Sequence, residues 1–309
     1  MSTQTTSLQE RIASGKTILL AEIHPPGSAD PAGLRTAAKR YAGKVHAVGV
    51  SDNRDRVAMS ALAAASLLKA EGLEPILHVT TRDRNRIALV SEALGAQALG
   101  IRNLLCTSGT HQTLGNYRAA RNVYDIDTVQ LLQTYANLAS DCGLLGESGL
   151  EGAGPFCLGA VASPDAGPPD LQLMRLAKKV QAGAKFLVTQ PVFDPERFEA
   201  WWETVARRGL NEQVAILAGI RPLSDGDVAP AQAGLRPLPG IPDALAGRVA
   251  SLSDPVARRA ASFEIALETI HRLSKLPGIR GFCISADGDH KAVLQLIEDS
   301  GMAGDGSCP

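Results

Sequence analysis

The run Thr17-Ile18-Leu19-Leu20-Ala21-Glu22-Ile23 is apolar and strand-like until it meets one carboxylate, and His24-Pro25-Pro26 then stops it. A glutamate at that point has two readings. In a barrel of alternating strands and helices, side chains at the carboxyl ends of the strands converge on one open face where chemistry takes place. A carboxyl in a half-apolar rim there is pushed toward keeping its proton, which suits a general acid. In the other reading, Glu22 caps the following helix or pairs with an arginine. Glu22 is the first catalytic candidate, and the other strand ends must decide between the two.

Those ends supply His24; Ser51 with Asp52 and Asn53; His78 with Thr80 and Thr81; Ser108 with Thr110 and His111; Ser163; Gln190; and Arg221. The set is polar but poor in acids. A catalytic metal needs several Asp, Glu or His ligands on one ion, so this set points to no metal and fits an organic cofactor better. Each candidate also has a structural reading. His78 could be a core histidine held by a backbone carbonyl, and Asp52-Asn53 could cap the next helix. Arg82, Arg84 and Arg86 straddle a helix start, as a solvated face or a phosphate site. Gln190 closes a buried strand, so its amide is either tied to backbone or aimed at a ligand with donor and acceptor edges. Trp201-Trp202 reads as packing, and Asp287 and Asp289 read as a turn and a cap. There is no G-x-G-x-x-G, no G-x-x-x-x-G-K-[ST] and no serine-hydrolase elbow.

The elements that would position these residues follow from periodicity. Short β-rich runs alternate with longer helical patterns from end to end, the signature of parallel βα units. Strands are expected near 17–23, 45–51, 75–80, 103–107, 155–162, 186–192, 214–220 and 281–286, about the eight that close a barrel. Helices are expected over 54–70, 84–99, 127–140, 170–182, 195–208 and 255–273, several of them opened by Asp, Asn or Pro. Residues 109–124 form a long polar segment after a strand, where active-site loops of barrels lie. The seventh connection, 221–279, carries an extra amphipathic piece at 242–252. The expected architecture is a single (β/α)8 barrel over residues 1–309, with 1–12 and 301–309 as frayed ends.

Composition agrees with a globular core: 45% of the 309 residues are hydrophobic, 20% are charged, and the net charge is −1. Near-neutral charge without a basic stripe argues against nucleic acid or an anionic membrane as partner. The five cysteines are odd in number and widely spaced. Cys106, Cys157 and Cys283 fall inside apolar strands, which reads as core thiols in a reducing compartment. The N-terminus lacks an apolar leader core, so a cytoplasmic protein is expected.

Seven segments, taken in order, carry a resemblance: Ala21-Glu22-Ile23-His24-Pro25-Pro26, Leu77-His78-Val79-Thr80, Arg82-Asp83-Arg84-Asn85-Arg86, the stretch from Leu94 to Asn103, the stretch from Arg175 to Ala184, Thr189-Gln190-Pro191-Val192-Phe193-Asp194, and Ile216-Leu217-Ala218-Gly219-Ile220-Arg221-Pro222-Leu223. Together they resemble the methylenetetrahydrofolate reductase family, most nearly its short, catalytic-domain-only forms from acetogens and other one-carbon specialists. The resemblance covers nearly the whole chain. It implies a flavin-binding (β/α)8 barrel in which a reduced flavin on the strand-end face passes hydride to the one-carbon bridge of methylenetetrahydrofolate. By resemblance, Glu22 is the acid that protonates the folate nitrogen, and Gln190 reads the pterin edge. His78 and Thr80 match the flavin-contacting third strand, Ser108-Gly109-Thr110 the loop beside the flavin ring, and Lys178 and Lys179 basic residues near the flavin's phosphate or ribityl end. The implied partners are tetrahydrofolate, FAD or FMN, NAD(P)H, and either a second copy of the chain or an electron-transfer or methyltransferase protein.

One departure from the family matters: Gly109-Thr110-His111-Gln112 stands where the short forms carry Gly-Asp-His-Gln. Loss of that carboxylate should make the flavin easier to reduce and weaken pterin binding by roughly 1–3 kcal/mol if a donor is left unpaired. It also motivates an alternative function, a barrel that binds folate or a methyl carrier without flavin chemistry. Segments for the adenine half of a dinucleotide flavin are unmatched, which leaves a mononucleotide open. An aldolase-like barrel would need an inward-pointing strand lysine, and the expected strands contain none.

Overall fold

A computed structural model of the chain describes residues 7–302 apart from 55, 140, 143–146, 149 and 236–239. Eight parallel strands close into one barrel: β1 Ile18–Ile23, β2 Ala47–Val50, β3 Pro75–Thr80, β4 Asn103–Thr107, β5 Cys157–Ala162, β6 Phe186–Pro191, β7 Ala215–Ile220 and β8 Gly281–Ile284. Each pairs with its neighbours in chain order, and the ring closes where Ile18 to Ala21 run beside Gly281 to Ile284. A short antiparallel pair, Asp141–Cys142 with Glu147–Ser148, lies apart from the barrel sheet. The expected single (β/α)8 barrel is the observed fold.

Around it run α1 Leu8–Ala13, α2 Ala32–Tyr41, α3 Ala61–Ala70, α4 Arg86–Ala98, α5 Thr128–Ala136, α6 Pro169–Gln181, α7 Pro195–Arg207, α8 Leu210–Gln213, α9 Asp225–Gln232, α10 Asp243–Ala250, α11 Pro255–Leu273 and α12 His290–Asp299. Their starts follow local chemistry. Asn85, Asp127, Asp194, Asp254 and Asp289 each accept a backbone N–H of the first turn, and α6, α7 and α11 have proline there, where no N–H is missed.

Strand residues alternate between two cores. Outward side chains such as Leu19, Val48, Leu77, Leu104, Leu158 and Leu187 pack against the helices, while Ile18, Leu20, Ile76, Leu105, Phe186 and Leu217 fill the lumen. Trp201 and Trp202 are buried against Phe198, and the Trp202 indole donates to the Pro277 carbonyl at 3.1 Å, a packing role.

The chain differs from expectation in three places. Residues 8–13 do not fray: Ser7 and Glu10 form a capping box, and Leu8 is fully buried in the lumen cluster, stoppering the barrel bottom. Residues 1–6 and 303–309 lie outside the described residues, as does Ser140. The helix expected from Arg54 begins only at Ala61, because the Met59 N–H is bound to the Pro26 carbonyl and the Ala58 N–H to the Asn53 side chain. The seventh connection holds two short helices, α9 and α10, before α11, and they share a small apolar core of Val228, Ile241, Ala246 and Val249.

Candidate functional site

The carboxyl ends of the strands open into a cavity of about 510 Å³, the size range of small-molecule sites. Its floor is Leu20, Ile76, Leu105, Val161 and Val188, and its walls carry Glu22, Ser51, His78, Thr80, Thr107, Ser163 and Gln190. These wall residues come from six strands or the positions just past them, as the period of two requires.

Glu22 caps no helix, since α2 begins at Ala32 after Pro31. The titratable side chain within 4 Å of it among the described residues is His24, whose Nδ1 lies 3.8 Å from Glu22 Oε1. The other carboxylate on the wall, Asp52, is already engaged. It accepts from the Thr80 N–H at 3.1 Å, the Thr80 hydroxyl at 2.9 Å and the Arg84 guanidinium at 2.5 Å, and it is 4% exposed. Asp52 is therefore a buried ion-pair partner rather than the helix cap its position suggested. Thr80 reaches the cavity with its hydroxyl proton committed to that carboxylate.

His78 lines the wall in space that only glycine leaves free: a Cβ on Gly49 would sit 2.8 Å from His78 Nε2. Burial pushes the His78 pKa below its ordinary 6.5, with Glu22 pulling the other way. The ring is held as a neutral imidazole. Cys106, Cys157 and Cys283 are buried, as their strand positions implied, and burial raises all three thiols, Cys157 to about 12.

Gln190 reaches the mouth through a β-bulge. The β6–β7 register slips between Val188 and Pro191. The Thr189 hydroxyl stitches the irregularity, accepting from the Gly219 N–H at 2.9 Å and donating to the Gln190 carbonyl at 2.8 Å. Gly219 permits the approach, since a Cβ there would meet the Thr189 carbonyl oxygen at 2.4 Å. The Gln190 side chain is exposed, and its amide has no hydrogen-bond partner among the described residues, so the buried amide expected from sequence is instead free to meet a ligand.

The loop after β4 is held by its backbone. Arg82, 4% exposed, donates to the Thr110 carbonyl at 2.7 Å and the Asn53 carbonyl at 2.8 Å, and pairs with Asp83. Gly109 has φ +82°, which glycine adopts without strain. Ser108, Gly109 and Thr110 all line the cavity, with the Thr110 side chain exposed, whereas His111 turns to Thr113. The arginines around the start of α4 are each ion-paired, Arg82 and Arg84 withdrawn from solvent and Arg86 on the solvated face. Arg82 pairs with Asp83, Arg84 with Asp52, and Arg86 with Asp125.

On the opposite wall the two lysines part company. Lys179 faces the cavity and donates to the Val161 carbonyl at 2.6 Å, and burial, reinforced by Arg175, lowers its pKa. Lys178, which the resemblance sets near the flavin's phosphate or ribityl end, instead lines a separate groove between α5 and α6, away from the cavity. Helix geometry explains the split: Gln172, Arg175 and Lys179 share one face of α6, and Lys178 lies about 100° round from Lys179. Gln172 and Arg175 were not singled out from sequence, although a polar stripe at i, i+3 and i+7 on an amphipathic helix signals them. Arg221 at the end of β7 is also corrected: both its outer nitrogens bind Asp227, at 2.5 and 2.7 Å, and its plane lies over Phe193.

A closed barrel whose strand ends surround an apolar-floored, polar-walled cavity edged by cations is a small-molecule-binding (β/α)8 protein. Within that class the sequence is decisive, for the profile of the methylenetetrahydrofolate reductase family matches residues 7–301, and the chain belongs to that family. A probable methylenetetrahydrofolate reductase (NADPH) of Caenorhabditis elegans is 27% identical over 172 residues, 55% of this chain and 24% of the relative. Methylenetetrahydrofolate reductase 1 of Schizosaccharomyces pombe is 25% identical over 161 residues, 50% and 24% respectively. The match thus spans about a quarter of each relative's length. Among solved structures, an uncharacterized protein from Clostridium thermocellum that binds two copies of 5-methyl-5,6,7,8-tetrahydrofolic acid superposes with a TM-score of 0.66 at 15% identity, over 94% of this chain and 98% of that one, a likeness of fold. Among the described residues no helix is long and apolar enough to cross a membrane.

Proposed function

We propose that the chain is a flavin-dependent oxidoreductase interconverting 5,10-methylenetetrahydrofolate and 5-methyltetrahydrofolate, with Glu22 as general acid. Family membership supports the substrate class, and one observation carries the residue assignment. Of the two carboxylates on the cavity wall, Asp52 is engaged by Arg84 and Thr80, which leaves Glu22 to handle protons.

The cavity fits a flavin. An apolar floor under a ring of hydrogen-bonding side chains suits a flat heteroaromatic system with polar edges, and Arg175 and Lys179 on one wall suit an anionic tail. His78, Thr80, Ser108 and Gly109 would hold the ring side, and Lys179 the ribityl or phosphate end. Such a cofactor, FAD or FMN, supplies hydride chemistry, recharged by NAD(P)H or a partner protein.

The chain's own groups do the rest. Gln190, with a free donor and a free acceptor, orients the pterin edge. Glu22 gives its proton to the folate nitrogen, opening the five-membered ring to an iminium that can accept hydride. Neutral His78 beside Glu22 adds no positive charge that would hold the acid ionised.

Glu22→Gln is expected to leave flavin reduction by the nicotinamide intact while slowing the folate half-reaction at least about 100-fold, the usual scale for a lost general acid. Equal slowing of both half-reactions in stopped-flow would make Glu22 structural. Thr110 favours a second reading, a barrel that binds folate or a methyl carrier without redox chemistry. A colourless protein that binds methyltetrahydrofolate and gains no reductase activity with added flavin would establish that reading.

A further inference from the structure

His24 follows β1, two residues beyond the proposed acid, and its ring contacts are specific on both nitrogens. Nε2 lies 3.3 Å from Arg54 Nη1, and Nδ1 lies 2.7 Å from Ser51 Oγ and 3.8 Å from Glu22 Oε1. A guanidinium only donates, so Nε2 must be the bare acceptor and Nδ1 must carry the hydrogen. Arg54 is itself steadied by Asp287 at 3.6 Å. The Nδ1–H therefore rests on the Ser51 hydroxyl, about 1 Å of travel from hydrogen-bond distance to Glu22. The other titratable groups facing this pair are His78 from β3, Asp52 beyond β2, Cys283 from β8 and His290 from α12.

We propose that His24 is a positioning residue for Glu22: Arg54 fixes the Nδ1–H tautomer, and that N–H moves from Ser51 to the Glu22 carboxylate as the acid gives up its proton. This inference rests on Glu22 being the acid. The proton passes from the Glu22 carboxyl to the folate nitrogen, the carboxylate left behind accepts the imidazole hydrogen bond, and His24 keeps its own proton throughout. Water returns the proton to Glu22 once product has left. A hydrogen bond offered only to the ionised form stabilises the carboxylate that proton transfer leaves behind, without adding net charge to the cavity.

The test has two arms. In the apo protein, 15N imidazole shifts should report the Nδ1–H tautomer for His24, and Arg54→Met should release it toward Nε2–H. An Nε2–H tautomer in the parent overturns the proposal without any need for flavin or substrate. In the loaded enzyme, His24→Phe keeps a ring of similar size but no donor. It should move the alkaline limb of the folate half-reaction up by about one pH unit and slow that step several-fold. Flavin reduction should be untouched, and His24→Asn, which restores a donor, should recover much of the loss. An unmoved limb in His24→Phe, with Glu22→Gln still disabling the half-reaction, sinks the role of His24 alone. A Glu22→Gln enzyme with an intact folate half-reaction instead removes the acid assignment on which the inference rests.

Discussion

Replacing Gly219 by alanine tests whether the bulge between β6 and β7 is what presents Gln190. The new Cβ would lie 2.4 Å from the Thr189 carbonyl oxygen, whereas a relaxed carbon–oxygen contact is about 3.3 Å, so roughly 0.9 Å must be found by moving backbone. The group that must move is the one stitched by the Thr189 hydroxyl, which accepts from Gly219 N–H and donates to the Gln190 carbonyl. Losing or stretching those two bonds, at about 1 kcal/mol each, together with the overpacking, gives an expected destabilisation of roughly 3–5 kcal/mol. For a chain of this size that lowers Tm by roughly 4–8 °C. Thr189→Val removes the hydroxyl while nearly keeping the shape and should cost about half as much. The assay pairs thermal unfolding with calorimetric titration of methyltetrahydrofolate, whose affinity should fall about 10-fold if Gln190 is mis-aimed. A Gly219→Ala protein that melts within about 1 °C of the parent and binds folate equally well would refute the reasoning.

Three further outcomes follow from the same geometry. Thr110→Asp places a carboxylate on the cavity wall and should lower the flavin midpoint potential by on the order of tens of millivolts, read by dye-equilibrated titration; an unchanged potential would mean that residue 110 does not face the ring. Lys179→Met should cost flavin retention on gel filtration about 10-fold or more in affinity, and Lys178→Met should not, because only Lys179 lines the mouth; equal losses would contradict the assigned faces of α6. His78 and His290 both have folded-state pKa values below 6.5 through burial, so below that pH the unfolded chain binds protons the folded chain refuses. The urea midpoint should therefore hold above pH 6.5 and fall as pH drops below it, and His78→Gln should flatten part of that fall; Asp125, held to about 2 by Arg86, acts only in a separate window below 3.8.

The barrel was legible because its signal is local. β-rich runs such as Pro75–Thr80 and Asn103–Thr107 match the observed strands end to end, and the alternation that fills lumen and outer core is written in single residues. Glu22 was legible for the same reason, as a polar residue ending an apolar strand. What sequence could not show depends on partners distant in the chain. Asp52 looked like a cap because Arg84, 32 residues away, is invisible to local pattern. Lys178 and Lys179 are neighbours in sequence, and only the packing of α6 decides which one meets the cavity. The bulge that frees Gln190 needs Gly219 from the next strand. Leu8 looked like part of a loose end because its burial comes wholly from strands that follow it.

The Arg82 clamp bears on the substitution at position 110. Its guanidinium donates to the carbonyl oxygens of Thr110 and Asn53, and among the described residues it is hydrogen-bonded to neither of their side chains. The loop after β4 is thus anchored by atoms that every residue possesses, and the side chain at 110 projects from a fixed mount. Aspartate and threonine are interchangeable there as far as the scaffold is concerned. On the proposed function, the charge beside the flavin ring would be set by one codon without re-engineering the rim, and barrels that share this loop would differ in redox poise while remaining the same shape.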